Sequence, residues 1–74
     1  MSIDQIPFSK RDEEELLTFV EVAEILRISP STLRWWRQQG TGPELFRMGR
    51  RLMSTVGDVR RFMRQQRLAG QRSQ

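Results

Sequence analysis

Arginine and glutamine side chains at helical spacing are the residues of this sequence best suited to contact a ligand. Arg34, Arg37 and Gln38 fall within residues 30–39, a stretch with no glycine and a single leading proline. A guanidinium group donates a fork of hydrogen bonds that matches phosphate oxygens or the edge of a guanine, and a glutamine amide can pair with an adenine. These residue types indicate recognition of a nucleic acid rather than covalent chemistry.

Residue types that carry catalysis or bind metals are scarce. The 74 residues include no cysteine and no histidine, so thiolate and imidazole ligands are excluded, as is the side chain that most often transfers protons at neutral pH. The acidic run 12–15 has no nucleophile beside it and no enclosing site, and we interpret it as solvated. We therefore expect no enzymatic activity, no metal, no cofactor and no small-molecule substrate.

Charge is unevenly distributed along the chain. Residues 1–26 contain two basic and seven acidic residues, a net charge of −5, whereas residues 27–74 contain eleven arginines and two acidic residues, a net charge of +9. Such a concentration of arginine favours a surface for a polyanion over a merely solvated basic face. No apolar stretch approaches the roughly 20 residues that span a bilayer, and we expect a cytoplasmic protein without a membrane partner.

Two short helices must position the side chains of residues 30–39. Thr18 and Glu21 have the spacing of a capping box that begins the first helix, which should end near Arg27. Ser29 and the proline after it begin the second helix, and Gly40 ends it. Two capped helices joined by a tight turn predict a helix-turn-helix, in which the second helix can enter the major groove of DNA.

The outward face of the second helix supplies the predicted contacts. Leu33 and Trp36 share the inner face, and Trp35 points about 100° away from Trp36, so only one of the two tryptophans can be well buried. We expect Trp36 in the core, whereas Trp35 either contacts a ligand or packs on the N-terminal arm. The side chains expected to contact DNA from this helix are Ser31, Thr32, Arg34, Trp35, Arg37 and Gln38.

A hairpin and a third helix complete the predicted domain. Residues 45–48 and 52–54 favour two short strands around a basic turn, and Thr55 with Asp58 predicts the start of the last helix. The fold class is thus mostly α with a small β-hairpin, in one domain over residues 16–69. The predicted core consists of Val22, Ala23, Leu26, Ile28, Leu33, Trp36, Phe46, Leu52, Val59, Phe62 and Met63.

Both ends of the chain are predicted to lie outside this domain. Residues 1–15 are polar and acidic, and we expect a flexible arm from which Ile6 and Phe8 can still pack on the domain. Leu16 and Leu17 are expected to form a short extended lead-in. A frayed tail is expected over residues 70–74.

The runs 17–26 and 28–36, followed by 46–51 and by residues 58–63, resemble the small excisionase-type winged helix-turn-helix domains, which are similar in fold to the MerR DNA-binding head. The resemblance covers roughly residues 16 to 67. It implies a recognition helix in the major groove and a wing in the neighbouring minor groove, with wing contacts from Arg47, Arg50 and Arg51. Trp35 departs from the family pattern, which usually has a polar or basic residue there.

The function implied by this resemblance is sequence-specific binding of double-stranded DNA by a phage or mobile-element excisionase. Such a protein binds adjacent sites beside copies of itself, bends DNA and directs a tyrosine or serine integrase towards excision, at the nucleoid of a bacterial host cell. A small transcriptional regulator would use the same surface. A third alternative is a protein-interaction module whose basic face binds an acidic partner.

Overall fold

The three helices begin where the capping residues predict, and three short strands lie before and between them. The computed structural model describes residues 8–72. Its elements, after a 3-10 turn at Phe8–Lys10, are β1 (Leu16–Thr18), α1 (Phe19–Leu26), α2 (Pro30–Gln39), β2 (Phe46–Met48), β3 (Arg51–Thr55) and α3 (Val56–Arg72).

The predicted caps of α1 and α2 are present. The Thr18 hydroxyl accepts a hydrogen bond from the Glu21 N–H at 3.1 Å, and the Glu21 carboxylate accepts one from the Thr18 N–H at 2.8 Å. The Ser29 hydroxyl accepts the Thr32 N–H at 3.1 Å. Gly40 ends α2 with a φ of 77°, the left-handed conformation that glycine adopts without strain. These local bonds fix both ends of α2.

The turn between α1 and α2 is made by a non-glycine residue in a left-handed conformation. Arg27 has a φ of 59°, and its N–H and that of Ile28 donate to the last carbonyls of α1, at 3.1 Å to Glu24 and 3.0 Å to Ala23. This arrangement ends α1, and α2 begins after only three further residues. The predicted helix-turn-helix is therefore confirmed in its connection as well as in its helices.

The expected lead-in before α1 is a strand of the sheet. β1 pairs antiparallel with β3, with Leu17 opposite Ser54, and β3 pairs antiparallel with β2, so the strand order is β1-β3-β2. Side chains directly opposite each other lie on the same face of a sheet. Leu17 and Ser54 are fully buried on the inner face, which packs against the helices. The hairpin is thereby held to the domain by a third strand.

The core is smaller than the predicted one. Its buried members are Leu17, Val22, Ala23, Leu33, Val56 and Val59.

Four of these were predicted, whereas Leu17 and Val56 were not. Phe46 was wrongly assigned to the core: it is 36% exposed, because it lies opposite Met53 on the outer face of the sheet. Trp36 and Met63 are half-buried and pack against the core.

The described part of the N-terminal arm differs from the expected flexible segment. The backbone carbonyls of Glu13 and Glu15 accept the Gly57 and Val56 N–H groups at 2.9 and 3.0 Å, and so satisfy the first donors of α3. A Cβ at position 57 would lie 3.1 Å from the Glu13 carbonyl oxygen, so glycine permits this close approach. Residues 8–15 are thus anchored to α3. Residues 1–7, with Ile6, lie outside the described range.

At the other end of the chain, α3 continues through Gly70 to Arg72, where a frayed tail was expected to begin at Gly70. Residues 73–74 of that predicted tail are not among those described.

Candidate nucleic-acid interface

The outer face of α2 is polar and exposed along its whole length. Leu33 is fully buried beneath it, whereas Ser31, Arg34 and Gln38 are exposed. The pattern follows from the helical repeat, because residues three or four apart share a face. This face presents cations and hydrogen-bonding groups, and Trp35 is its exposed apolar residue.

The tandem tryptophans have the two environments that their spacing predicts. The ring of Trp36 is half-buried, with its centroid 5.7 Å from that of Phe62 in α3. Trp35 is 58% exposed. Trp36 therefore joins α2 to the body of the domain, whereas most of the Trp35 side chain is open to solvent.

Thr32 is placed differently from its neighbours on α2. Its hydroxyl lies 3.0 Å from that of Ser29, whose oxygen also accepts the Thr32 N–H. The Thr32 side chain thus takes part in the cap of α2.

The hairpin divides its arginines between two faces. Arg47 lies opposite Leu52 on the inner face of the sheet, and Arg51 lies opposite Met48 on the outer face. Gly49 forms the tip with a φ of 65°. The three arginines predicted for the wing are all exposed but do not form one surface.

A cleft of about 260 Å³ lies between the helix-turn-helix and the hairpin. It is lined by Phe19, Arg34, Arg47, Arg50 and Leu52.

The guanidinium carbon of Arg34 lies 5.6 Å from the centroid of the Phe19 ring, a distance typical of a cation–π contact. No carboxylate lines the cleft. The fold thus brings Arg34 from α2 together with Arg47 and Arg50 from the hairpin. Phe19 and Leu52, which form the apolar wall, were not assigned to this site from the sequence. The position of Phe19 directly after the helix cap did indicate that it is the first residue of α1.

A match to a known family covers this whole unit. The family model described as Helix-turn-helix domain matches residues 16–67, from β1 into α3. The chain belongs to the helix-turn-helix domain family. This is a DNA-binding family that includes excisionase-like proteins. No curated protein and no solved structure matches the chain.

In this helix-turn-helix protein, Arg37 stands apart from Arg34. It lines a second cleft, of about 350 Å³, together with the loop 40–45 and with Asp58, Arg61 and Phe62 of α3. The prediction placed both arginines on one contact surface, whereas the structure gives them different neighbours.

Three carboxylates of the described chain pair with arginines outside this interface. The ion pairs within residues 8–72 are Arg11–Glu15, Arg60–Glu13 at 3.6 Å and Arg61–Asp58 at 3.0 Å.

None of the five arginines of α2 and the hairpin takes part in an ion pair within that range. Hydrogen bonding from Arg11 lowers the pKa of the Glu15 carboxyl. Arg60 is occupied by the arm, since it also donates to the Phe8 carbonyl at 2.8 Å. The arginines of the helix-turn-helix and the hairpin are therefore among the cations left for a polyanion.

Residues 8–72 contain no group of three acidic side chains placed to hold a metal ion. None of the helices in this range has the length and apolar character needed to cross a membrane.

Proposed function

We propose that this protein binds double-stranded DNA in a sequence-specific way, with α2 in the major groove and the hairpin tip in the neighbouring minor groove. The observation that carries this proposal is the cleft in which Arg34 of α2 meets Arg47 and Arg50 of the hairpin without a carboxylate. One helix and one hairpin that share a cationic cleft suit a duplex, whose adjacent grooves are separated by a single sugar-phosphate strand.

The residues of α2 divide into those that reach bases and those that support them. Gln38 and Ser31 are exposed on the outer face, and the Gln38 amide can pair with the edge of an adenine. Trp35, with most of its surface exposed, contacts the sugar-phosphate backbone or a thymine methyl group. In the hairpin, the Gly49 tip approaches the minor groove, and the arginines beside it contact the sugar-phosphate strand that borders this groove.

Within this proposal the protein acts as an excisionase of a phage or mobile element. Several copies bind adjacent sites, bend the duplex and direct an integrase towards excision, at the nucleoid of a bacterial cell. The sequence resemblance supports this role, and so does membership of a family that includes excisionase-like proteins. A single small module buries little surface on DNA and binds modestly, so neighbouring copies would raise its occupancy.

The outer face of the sheet supports contacts between such copies. Leu16, Phe46 and Met48 are 44%, 36% and 48% exposed, and Met53 lies between them in the central strand. This apolar face is flanked by the acidic residues before β1 and by Arg51 at the hairpin. A second copy placed head to tail would match apolar surface with apolar surface and acidic with basic residues.

The experiment that tests DNA binding is selection of bound duplexes from a random pool, followed by titration of the selected duplex at several salt concentrations. We expect one enriched motif and an affinity that falls steeply as salt rises, because binding releases counterions from phosphates. Absence of any retarded duplex at low salt would contradict the proposal and favour an acidic protein partner.

The excisionase role needs a separate assay. Adding the protein to its cognate integrase and to a supercoiled substrate that carries both recombination sites should raise excision and lower integration. If DNA binding is specific but the direction of recombination does not change, the protein regulates transcription instead.

A further inference from the structure

The cleft between α1, α2 and the hairpin has a composition that DNA reading alone does not require. Three of its five lining side chains are arginines, and the other two are the apolar Phe19 and Leu52. One guanidinium group can contact a guanine edge or a phosphate, but three arginines in one cleft match the several oxygens of a phosphate better than the edge of one base. Its chemistry fits one small anion with oxygens on several sides.

Arg34 is held in place before any ligand binds. Its guanidinium group lies over the Phe19 ring, and Phe19 is the first residue of α1, whose start is fixed by the Thr18–Glu21 capping box. A contact of this kind limits the conformations of a long side chain, so less entropy is lost when it binds an anion. The position of Arg34 is therefore set by α1 rather than by α2 alone.

The electrostatics of the cleft also call for an anion. Three arginines line one open cleft of about 260 Å³, with no carboxylate in the lining. Like charges that share a cleft repel each other in the free protein. A phosphate would remove that repulsion and accept the forked hydrogen bonds that arginine donates.

We propose that this cleft binds a single backbone phosphate of the DNA strand that runs between the major-groove segment under α2 and the minor-groove segment under the hairpin. This inference rests on the proposed function and deepens it. It makes Arg34 a residue that fixes the depth and register of α2 on the duplex, and it leaves base recognition to Gln38 and its exposed neighbours. Arg47 and Arg50 hold the same phosphate from the hairpin side.

The first test compares Arg34→Ala with Arg64→Ala on duplex of unselected sequence and on the selected site. Arg64 is exposed on α3 and lines a different groove, with Phe8 and Met63, so its substitution removes one charge from elsewhere on the surface. We expect Arg34→Ala to weaken binding about 10- to 100-fold on both duplexes, the effect of one charged hydrogen-bonded contact. Arg64→Ala should change the affinity by less than about threefold, as expected of an exposed charge.

The salt dependence and a conservative variant separate a phosphate contact from a general loss of charge. Arg34→Ala should reduce the slope of log K against log salt by about 0.9, the value for one phosphate contact, and Arg64→Ala should not. Arg34→Lys should keep that slope but bind more weakly than the wild type, because lysine lacks the fork. Thermal melting of each variant checks that the fold is retained.

The decisive experiment places one neutral methylphosphonate at each position of the selected duplex in turn. At one position the neutral group should weaken binding by the wild type. On that duplex, Arg34→Ala, Arg47→Ala and Arg50→Ala should each bind with the same affinity as the wild type. Effects that disappear at three different positions would overturn the single-phosphate site.

Two further outcomes discriminate between the proposals. The Arg34→Ala variant could instead lose its preference for one base pair while it binds unselected duplex as tightly as the wild type does. That result would make Arg34 a base-reading residue and overturn the inference. Failure of the wild type to bind any duplex would overturn the proposed function itself.

Discussion

Tryptophans 35 and 36 show how much a single residue's role depends on one step of helical rotation. Adjacent helical side chains point about 100° apart, so sequence alone predicts that one ring is buried and the other is not. Leu33 on the same face identifies Trp36 as the buried one, and the structure confirms it: Trp36 packs near Phe62, and Trp35 is 58% exposed. The partner of Trp36 could not be predicted, because Phe62 is brought there by the tertiary fold.

Substituting the two tryptophans separately should therefore give opposite results. Trp36→Ala removes a half-buried ring and leaves a gap against α3, so we expect a loss of about 2–3 kcal/mol of folding free energy and a melting temperature lower by roughly 10–20 °C. Trp35→Ala should change stability by less than about 0.5 kcal/mol, since its side chain is exposed. Thermal denaturation followed by circular dichroism measures both.

DNA titration of the same pair completes the comparison. Trp35→Ala should weaken binding while its melting curve stays in place. A Trp35→Ala protein that binds duplex as the wild type does would show that this exposed ring has no part in the interface.

The elements of the fold differ in how far sequence predicts them. Both caps of the helix-turn-helix depend on residues three apart, and they could be predicted because such bonds are local. Strand β1 could not, because its pairing joins Leu16 to Thr55 and has no local signature. The arm escaped prediction for a related reason: it caps α3 through backbone carbonyls of Glu13 and Glu15, which any residue possesses.

The same limit applies to the candidate site. Its residue types could be predicted, whereas their grouping depends on strand register. The antiparallel pairing of β2 with β3 places Arg47 on the inner face and Arg51 on the outer face. Residue spacing in a turn does not determine this division, so the predicted wing surface was broader than the observed cleft.

The capping box of α1 gives a prediction at the scale of the element. Thr18→Ala removes the hydroxyl that accepts the Glu21 N–H, and we expect a loss of about 1 kcal/mol, or roughly 4–8 °C in melting temperature. Ser31→Ala is the matched control: it also removes one hydroxyl from a first helical turn, but the Ser31 side chain makes no hydrogen bond within residues 8–72. Equal melting temperatures for the two variants would refute a stabilising role of the box.

At the scale of the whole molecule, the charge separation along the sequence is partly neutralised by folding. Glu13 pairs with Arg60 of α3, and Glu15 pairs with Arg11 within the arm. The arm thereby pairs with one arginine of α3 and with its own Arg11, and it leaves Arg34, Arg47 and Arg50 without carboxylate partners. Glu13 and Glu15 of the acidic run thus serve the fold, and the basic cleft keeps its charge for a ligand.

The arm makes the stability of the protein depend on acid pH. Hydrogen bonding from Arg11 lowers the pKa of Glu15 below its ordinary value of 4.5. Since the folded pKa is the lower one, the ionised carboxylate stabilises the fold above the ordinary value, and this contribution is lost as pH falls through the folded pKa. Urea denaturation should therefore show the wild type more stable than Glu15→Gln at neutral pH, with the difference vanishing in strong acid.

Glu14→Gln is the control for this pH series, because the Glu14 side chain is exposed and forms no ion pair within the described chain. It should follow the wild type throughout. A difference between wild type and Glu15→Gln that stays constant from neutral to strongly acidic pH would exclude titration of this carboxyl as its cause.

The outer face of the sheet gives the last prediction, which concerns several molecules on one duplex. Phe46→Ser combined with Met48→Ser removes two exposed apolar side chains from β2, so the fold and the affinity for a single site should change little. Binding to two adjacent sites should lose its cooperativity, a factor of about 5 to 150 for typical coupling between sites. Leu68→Ser, which removes a 53% exposed side chain from α3, should keep that cooperativity. Quantitative footprinting on one-site and two-site duplexes measures the single-site affinity and the cooperativity. A double variant that still binds adjacent sites cooperatively would mean that copies of the protein do not meet through this face.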